Sequence, residues 1–292
     1  MKKFIFKIIK SLGYEVKSLP KADTEVYKRL FSEDSLNNKR FYNIGAGNFY
    51  HPYWTNVDFY SDWYKRNDKT SLAGIHHDLM SLKALPVESN SAEVVYSCHT
   101  VEHISDQAAQ IMFNESYRIL KPGGILRINT PNIDLEYRAY KDNDRDYFYW
   151  INNYSQQKEL ERIMITIPMN KASIEQIFLY HFASNVSTLH KYGAEERISD
   201  IKLKQIFSEM KYEDALNYCT SRCSLEIQSK YPGNHINWWN AKKMSEMLKK
   251  TGFEKVFNSG YGQSFSPIMR NTSLFDNTHP KISLYMEAIK PC

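Results

Sequence analysis

The chain has 292 residues, 42% of them hydrophobic and 24% charged, which is enough apolar material for a sizeable core and excludes wholesale disorder. Its net charge of +5 is too dilute to argue for a duplex-binding protein, and no nucleic-acid partner is expected. Four cysteines, Cys98, Cys219, Cys223 and Cys292, exclude a disulfide scaffold of this size and point to a reducing, cytoplasmic setting.

The N-terminus is basic, but Lys7 and Lys10 interrupt its apolar run, so it does not read as a secretory signal. Phe4, Ile5, Ile8, Ile9 and Leu12 fall at helical spacing. That pattern fits a helix docked on the domain, or a peripheral contact of residues 1–17 with an anionic membrane surface. No stretch approaches the roughly 20 apolar residues of a spanning helix. From residue 41 strand-like and helix-like segments alternate. Strands are expected at 41–44, 56–59, 74–78 and 93–97, and a helix at 105–120 behind the N-cap Ser105. Lys121-Pro122-Gly123-Gly124 should stop that helix before a fifth strand at 125–129. Such alternation predicts parallel pairing, and hence a Rossmann-like, doubly wound α/β sheet. Residues 133–236 then read as a helical, tyrosine-rich insertion after strand five. A helix ending at Gly252 and strands at 254–258 and 281–289 resume the pattern. The expected division is 1–40, 41–132, 133–236 and 237–292.

Gly45-Ala46-Gly47 directly follows the first strand, where glycine permits a tight turn and close approach of a ligand. Tyr50 occupies the place of the third glycine of a dinucleotide loop. Asp58 and Asp78 each end a strand. The first is placed to accept hydrogen bonds from ribose hydroxyls, the second from an adenine amino group, and together they describe an adenosine pocket.

These residues lie in three ordered stretches: FYNIGAGNFYHPYWTNVDF, HHDLMSLKALPVESNSAEVVYSCHTVEHI and ESYRILKPGGILRINTPN. Together they resemble the class I S-adenosylmethionine-dependent methyltransferases, in particular the branch found in surface-polysaccharide biosynthesis. The resemblance implies S-adenosylmethionine as cofactor. Gly45, Ala46, Gly47 and Asn43 would lie at its methionine portion, Asp58 at the ribose, and Asp78 with Leu79 at the adenine. Ser97, Cys98 and His99 would lie near the sulfonium. The implied activity is O-methylation of a sugar, or of a nucleotide- or phosphate-bearing glycan precursor. A different small molecule, a nitrogen acceptor, a non-catalytic assembly module and a homo-oligomer stay open.

His99-Thr-Val-Glu102-His103 also matches an inverted zinc-hydrolase motif. That chemistry needs the motif inside a long helix and a third ligand, and neither is visible in the sequence, so no metal is expected. Methyl transfer to oxygen wants a base. The candidates are His99, His235 and His190, with His181 behind them. The aromatic run Tyr147–Trp150 and the pair Trp238-Trp239 could stack on a sugar or fill a small core. Arg127, Arg138, Arg145, Lys191 and Arg270 could clamp a phosphate. Anchored at the strand ends, residues 133–236 are expected to act as an acceptor lid.

Overall fold

The computed structural model describes residues 23–61, 63, 74–154, 160–161 and 163–292. The expected contact of residues 1–17 with a membrane falls outside them. Among the described residues no helix is long and apolar enough to cross a membrane.

Seven strands form one sheet: β1 (Phe41–Ile44), β2 (Trp54–Asp58), β3 (Gly74–His76), β4 (Ala92–Cys98), β5 (Leu120–Pro131), β6 (Lys255–Ser259) and β7 (Ser283–Ile289). Their spatial order is β3-β2-β1-β4-β5-β7-β6. Neighbours among β1 to β5 pair in parallel, and β7 runs antiparallel to both β5 and β6. This is the Rossmann-like α/β architecture expected, closed by an antiparallel hairpin. All four residues of β1 are buried, as a parallel strand covered on both faces requires.

Several strand boundaries differ from expectation; β3 ends at His76, which leaves Asp78 two residues beyond it. Leu120 already pairs with Ala92, and the ladder resumes at Ile125 opposite Val94. The Lys-Pro-Gly-Gly segment is therefore an excursion within β5, with Gly123 at φ +76°, and does not precede the strand. β2 begins earlier, at Trp54, whose indole N–H donates to Tyr27 Oη at 2.6 Å. No helix separates β1 from β2, which explains why Asp58 follows the glycine loop so closely in sequence.

Helix α1 (Thr24–Leu30) packs Tyr27 on one face of the sheet with Phe41, Trp54 and Phe275. A second helix, α2 (Glu33–Asn37), leads into β1. On the other face α3 (Asp106–Ile119), capped by Ser105, buries Met112 and Phe113. The insertion follows as α4 (Ile133–Lys141), α5 (Ile174–Phe182), α6 (Asp200–Glu209), α7 (Tyr212–Ser221) and α8 (Leu225–Lys230). It has its own core of Phe148, Trp150, Phe178, Phe182, Leu216 and Trp238. Helix α9 (Ala241–Thr251) returns the chain to the sheet, stopping at Gly252 with φ +116°.

The tryptophan pair is not a stacking platform. Trp238 joins the insertion core and Trp239 the sheet core; the dipeptide pins the two together. Nor do the five basic residues converge. Arg127 is fully buried between Asp276, at 2.5 Å, and Glu287, at 3.2 Å. Arg138 lies exposed near Asp142, Arg145 donates to the carbonyls of Ala172 and Asn170, Lys191 sits over Tyr192, and Arg270 donates to the Ser264 carbonyl.

Buried imidazoles set an acid limit. Burial pushes His51 and His190 down to about 4. Each ring takes its proton near pH 6.5 once the chain unfolds. Protonation thus favours the unfolded chain, and stability is full above pH 6.5 and falls as pH drops toward 4. The urea midpoint is expected to be lower at pH 5 than at pH 7, and the drop to shrink in His51→Gln. An equal or higher midpoint at pH 5 contradicts this.

Candidate active site

A cleft of about 1230 Å³ opens at the carboxyl ends of β1, β2 and β4, where open α/β sheets bind ligands. The glycine loop forms one wall. Gly45 and Gly47 have φ of +71° and +55°, in the left-handed region that favours glycine. A Cβ on Gly45 would stand 2.0 Å from Thr100 Oγ1, whereas one on Gly47 would meet nothing within 4 Å. The first glycine is required by packing and the second leaves the wall open.

At the end of β2, Asp58 accepts from the N–H of Gly47 at 2.6 Å and from that of Phe59 at 2.7 Å. Its carboxylate thereby ties the glycine loop to the strand. Asp78 caps a short turn, accepting from the Met80 N–H at 2.8 Å. Both aspartates line the cleft, as do Asn43, Ala46, Leu79 and Cys98. Burial pushes the Cys98 thiol up. Asn43 is 4% exposed, and its Oδ1 is buried without a hydrogen-bond partner. Such an orphaned acceptor suits an ammonium or amide donor from a ligand. Asn43, the open glycine wall and the strand-end carboxylates therefore fit S-adenosylmethionine.

Beyond β4 the chain turns sharply at His99, whose φ of +50° is unusual for a residue with a side chain. Backbone held in such a region costs about 1–3 kcal/mol and tends to mark functional positions. The His99 ring reaches into the cleft with Nδ1 3.1 Å from Glu102 Oε1 and Nε2 2.8 Å from Ser283 Oγ. An ionised carboxylate only accepts, so the tautomer that suits the Glu102 contact has the proton on Nδ1 and the lone pair on Nε2. Glu102 is 1% exposed and its Oε2 accepts from Thr130 Oγ1 at 3.0 Å. Burial opposes its charge, and the surrounding His99, His103 and His235 more than offset that, holding its carboxyl well below the usual range.

His103, His235, His181 and His279 share this end of the cleft. Burial pushes His181 down to about 3 and His279 to about 4, and His235 lies well below the ordinary imidazole range for the same reason. The His181 Nδ1 lies 2.8 Å from Glu136 Oε1. Burial and the nearby Glu102 charge drive the Glu136 carboxyl upward. Trp150 stacks on His181 at 4.7 Å between centroids.

Two expected site residues lie elsewhere. Ser97 turns away from the cleft, donating its hydroxyl to the Ile44 carbonyl at 2.9 Å; alternation along β4 sends it to the face opposite its neighbours. His190 is 1% exposed, with Nε2 on Asn234 and Nδ1 accepting from the Tyr192 N–H. It does not line the cleft, so it is placed as a packing residue and not to take a proton there. Of the run Tyr147–Trp150, only Trp150 lines the cleft. Glu136, His279 and Ser283 belong to no motif in the sequence and are not among its candidate residues. The third partner of the His-x-x-Glu-His motif, invisible in local spacing, is His235.

Residues 50–128 match the family model described as a methyltransferase domain. A probable S-adenosylmethionine-dependent methyltransferase of Mycolicibacterium smegmatis is 38% identical over 52 residues, 18% of this chain. That alignment spans only 20% of the relative's own length. Among solved structures, an S-adenosylmethionine-dependent methyltransferase of Archaeoglobus fulgidus aligns at 12% identity over 86% of this chain and 85% of its own, with a TM-score of 0.38. A possible histamine N-methyltransferase of Thermotoga maritima aligns at 12% identity over 92% and 88%, with a TM-score of 0.36. The fold assignment rests on the strand order, not on these scores. The family match falls on β2, β3, β4 and most of β5, so this part of the Rossmann-like sheet is similar to a methyltransferase domain.

Proposed function

We propose that the chain transfers a methyl group from S-adenosylmethionine to a hydroxyl oxygen of a sugar ring, in a precursor of a cell-surface glycan. The observation that carries this reading is the His99–Glu102 pair facing the cleft beyond the glycine loop. Asn43 and residues 45–47 would hold the methionine portion, Asp58 the ribose, and Asp78 with Leu79 the adenine. The cofactor supplies a methyl group already activated on a sulfonium, so the protein's own work is alignment, proton removal and exclusion of water. His99 Nε2 would take the hydroxyl proton while Glu102 steadies the imidazolium through Nδ1, and Ser283 fixes the ring's angle.

The cleft exceeds the roughly 300–1,000 Å³ of a single small-ligand site, which supports a second compartment for an acceptor. Trp63, Trp150, Tyr154 and Tyr180 line that side and offer faces suited to a sugar ring. Among the described residues lining the cleft there is no Lys or Arg, so the support is for a hydroxylated ring rather than for a phosphate clamp. The surface-glycan setting comes from the sequence resemblance alone. A panel of sugars, nucleotide sugars and other hydroxyl and amine acceptors, followed by S-adenosylhomocysteine release, tests the reading. Methylation of a sugar oxygen is expected. A product methylated on nitrogen, or on an acceptor without a sugar, overturns it.

Occupancy of the ribose subsite has its own expected result. Asp58→Asn should weaken S-adenosylhomocysteine binding by about 1–3 kcal/mol, the scale of lost hydrogen bonds to a charged group.

A further inference from the structure

The histidines at the floor of the cleft are held in one tautomer each. His103 Nδ1 lies 2.9 Å from the Asn234 carbonyl, and His235 Nδ1 lies 2.5 Å from the His181 carbonyl. A carbonyl oxygen only accepts, so both Nδ1 atoms carry protons and both Nε2 atoms present lone pairs. This backbone-carbonyl anchoring is the outer-shell arrangement that metal-binding histidines use to fix orientation. The two rings meet edge to face with centroids 4.6 Å apart.

A carboxylate completes the set. One ligand atom from each of Glu102, His103 and His235 lies within 4.8 Å of the others. Metal–ligand bonds of about 2.0–2.2 Å put tetrahedral donors roughly 3.4 Å apart, so a small turn of the two rings brings all three onto one ion. A carboxylate has about four lone-pair directions. Contacts with His99 and Thr130 use two of those of Glu102, leaving room for an ion.

The frame is rigid without a metal. The N–H groups of Ile236 and Asn237 both donate to the Glu102 carbonyl, at 2.9 and 3.2 Å. The buried Gln228 amide donates to the carbonyls of His103 and Asn234, at 2.7 and 3.1 Å. These bonds join two segments far apart in sequence, and all three candidate ligands line the cleft.

We propose that Glu102, His103 and His235 bind one divalent transition-metal ion at the floor of the cleft. Two imidazoles and one carboxylate suit zinc or iron(II) better than the all-oxygen cations magnesium and calcium. All three side chains line the cleft, so the ion's remaining positions would be open to an acceptor oxygen. Only that last statement rests on the proposed function; binding of the ion does not.

The test uses the full chain, stripped with a chelator and titrated with Co²⁺. Visible absorption and elemental analysis follow the metal, and S-adenosylhomocysteine affinity is measured on the same samples. One Co²⁺ per chain, displaceable by Zn²⁺, is expected. His103→Gln and His235→Gln should each weaken Co²⁺ binding by at least about tenfold, the lower end for disturbing even an outer-shell partner, while His190→Gln should not. A stripped protein that binds S-adenosylhomocysteine but takes up neither ion overturns the metal site and leaves the proposed function standing. Uptake that survives both histidine substitutions also overturns it, and the wild-type stoichiometry decides the matter if either variant does not fold. Metal uptake without S-adenosylhomocysteine binding counts against the proposed function instead.

Discussion

His99→Ala is expected to cut turnover by about 10²–10⁴, the range for loss of a general base. The ring is oriented twice, by Glu102 on Nδ1 and by Ser283 on Nε2, and it is presented from a backbone conformation that few side chains adopt. Affinity for S-adenosylhomocysteine should stay within about a factor of three, under roughly 0.7 kcal/mol, because Asn43 and Asp58 lie on other strands and Asp78 on the turn after β3. Ser283→Ala should lose much less, since that hydroxyl orients the ring without receiving the proton. Turnover in His99→Ala within threefold of wild type would remove the base assignment.

Asp276→Ala is expected to lower the unfolding free energy by about 3–5 kcal/mol, the cost of removing one partner of a buried ion pair, with Glu287 left as the second carboxylate on Arg127. Arg127 has no exposed surface, and its guanidinium also donates to Ser259 Oγ and the Gly260 carbonyl. The Asp276 carboxylate accepts from the Gly262 N–H as well, and the Asp276 N–H donates to Tyr96 Oη. Strands β4, β5 and β6 and the loop before β7 are therefore joined through one ion pair. The unfolding midpoint in urea measures the effect, and turnover per folded molecule should hardly change. A loss below about 1 kcal/mol, or a selective loss of acceptor binding, would restore Arg127 as a ligand-binding residue.

The glycine-loop wall of the cleft was legible because it follows local rules. A glycine that must adopt positive φ, and carboxylates at strand ends, mark themselves by position along the chain. Asp58 and Asp78 could be placed before any tertiary contact was known. The opposite wall obeys no such rule. Arg127 reads as a free cation until β7 and its preceding loop bring Glu287 and Asp276 to it. His190 and His235 are alike in sequence, yet one is locked by Asn234 inside the insertion and the other faces the cleft. Ser97 was misplaced by strand alternation, a single-residue matter that nearby motifs do not fix. Glu102 and His103 looked like a motif without a third partner, because His235 is supplied by the returning end of the insertion.

The bonds from Ile236 and Asn237 to the Glu102 carbonyl hold the returning end of the insertion at the cleft floor. Its separate aromatic core means that it packs as a body beside the sheet rather than as a loose loop.

Calorimetric titration of S-adenosylhomocysteine into the full chain, wild type against Asp58→Asn, tests the central claim most directly. One site per chain is expected, weakened about 5- to 150-fold by the substitution, the equivalent of about 1–3 kcal/mol. No binding to a folded wild-type chain, or equal affinity in a folded variant, would contradict the account.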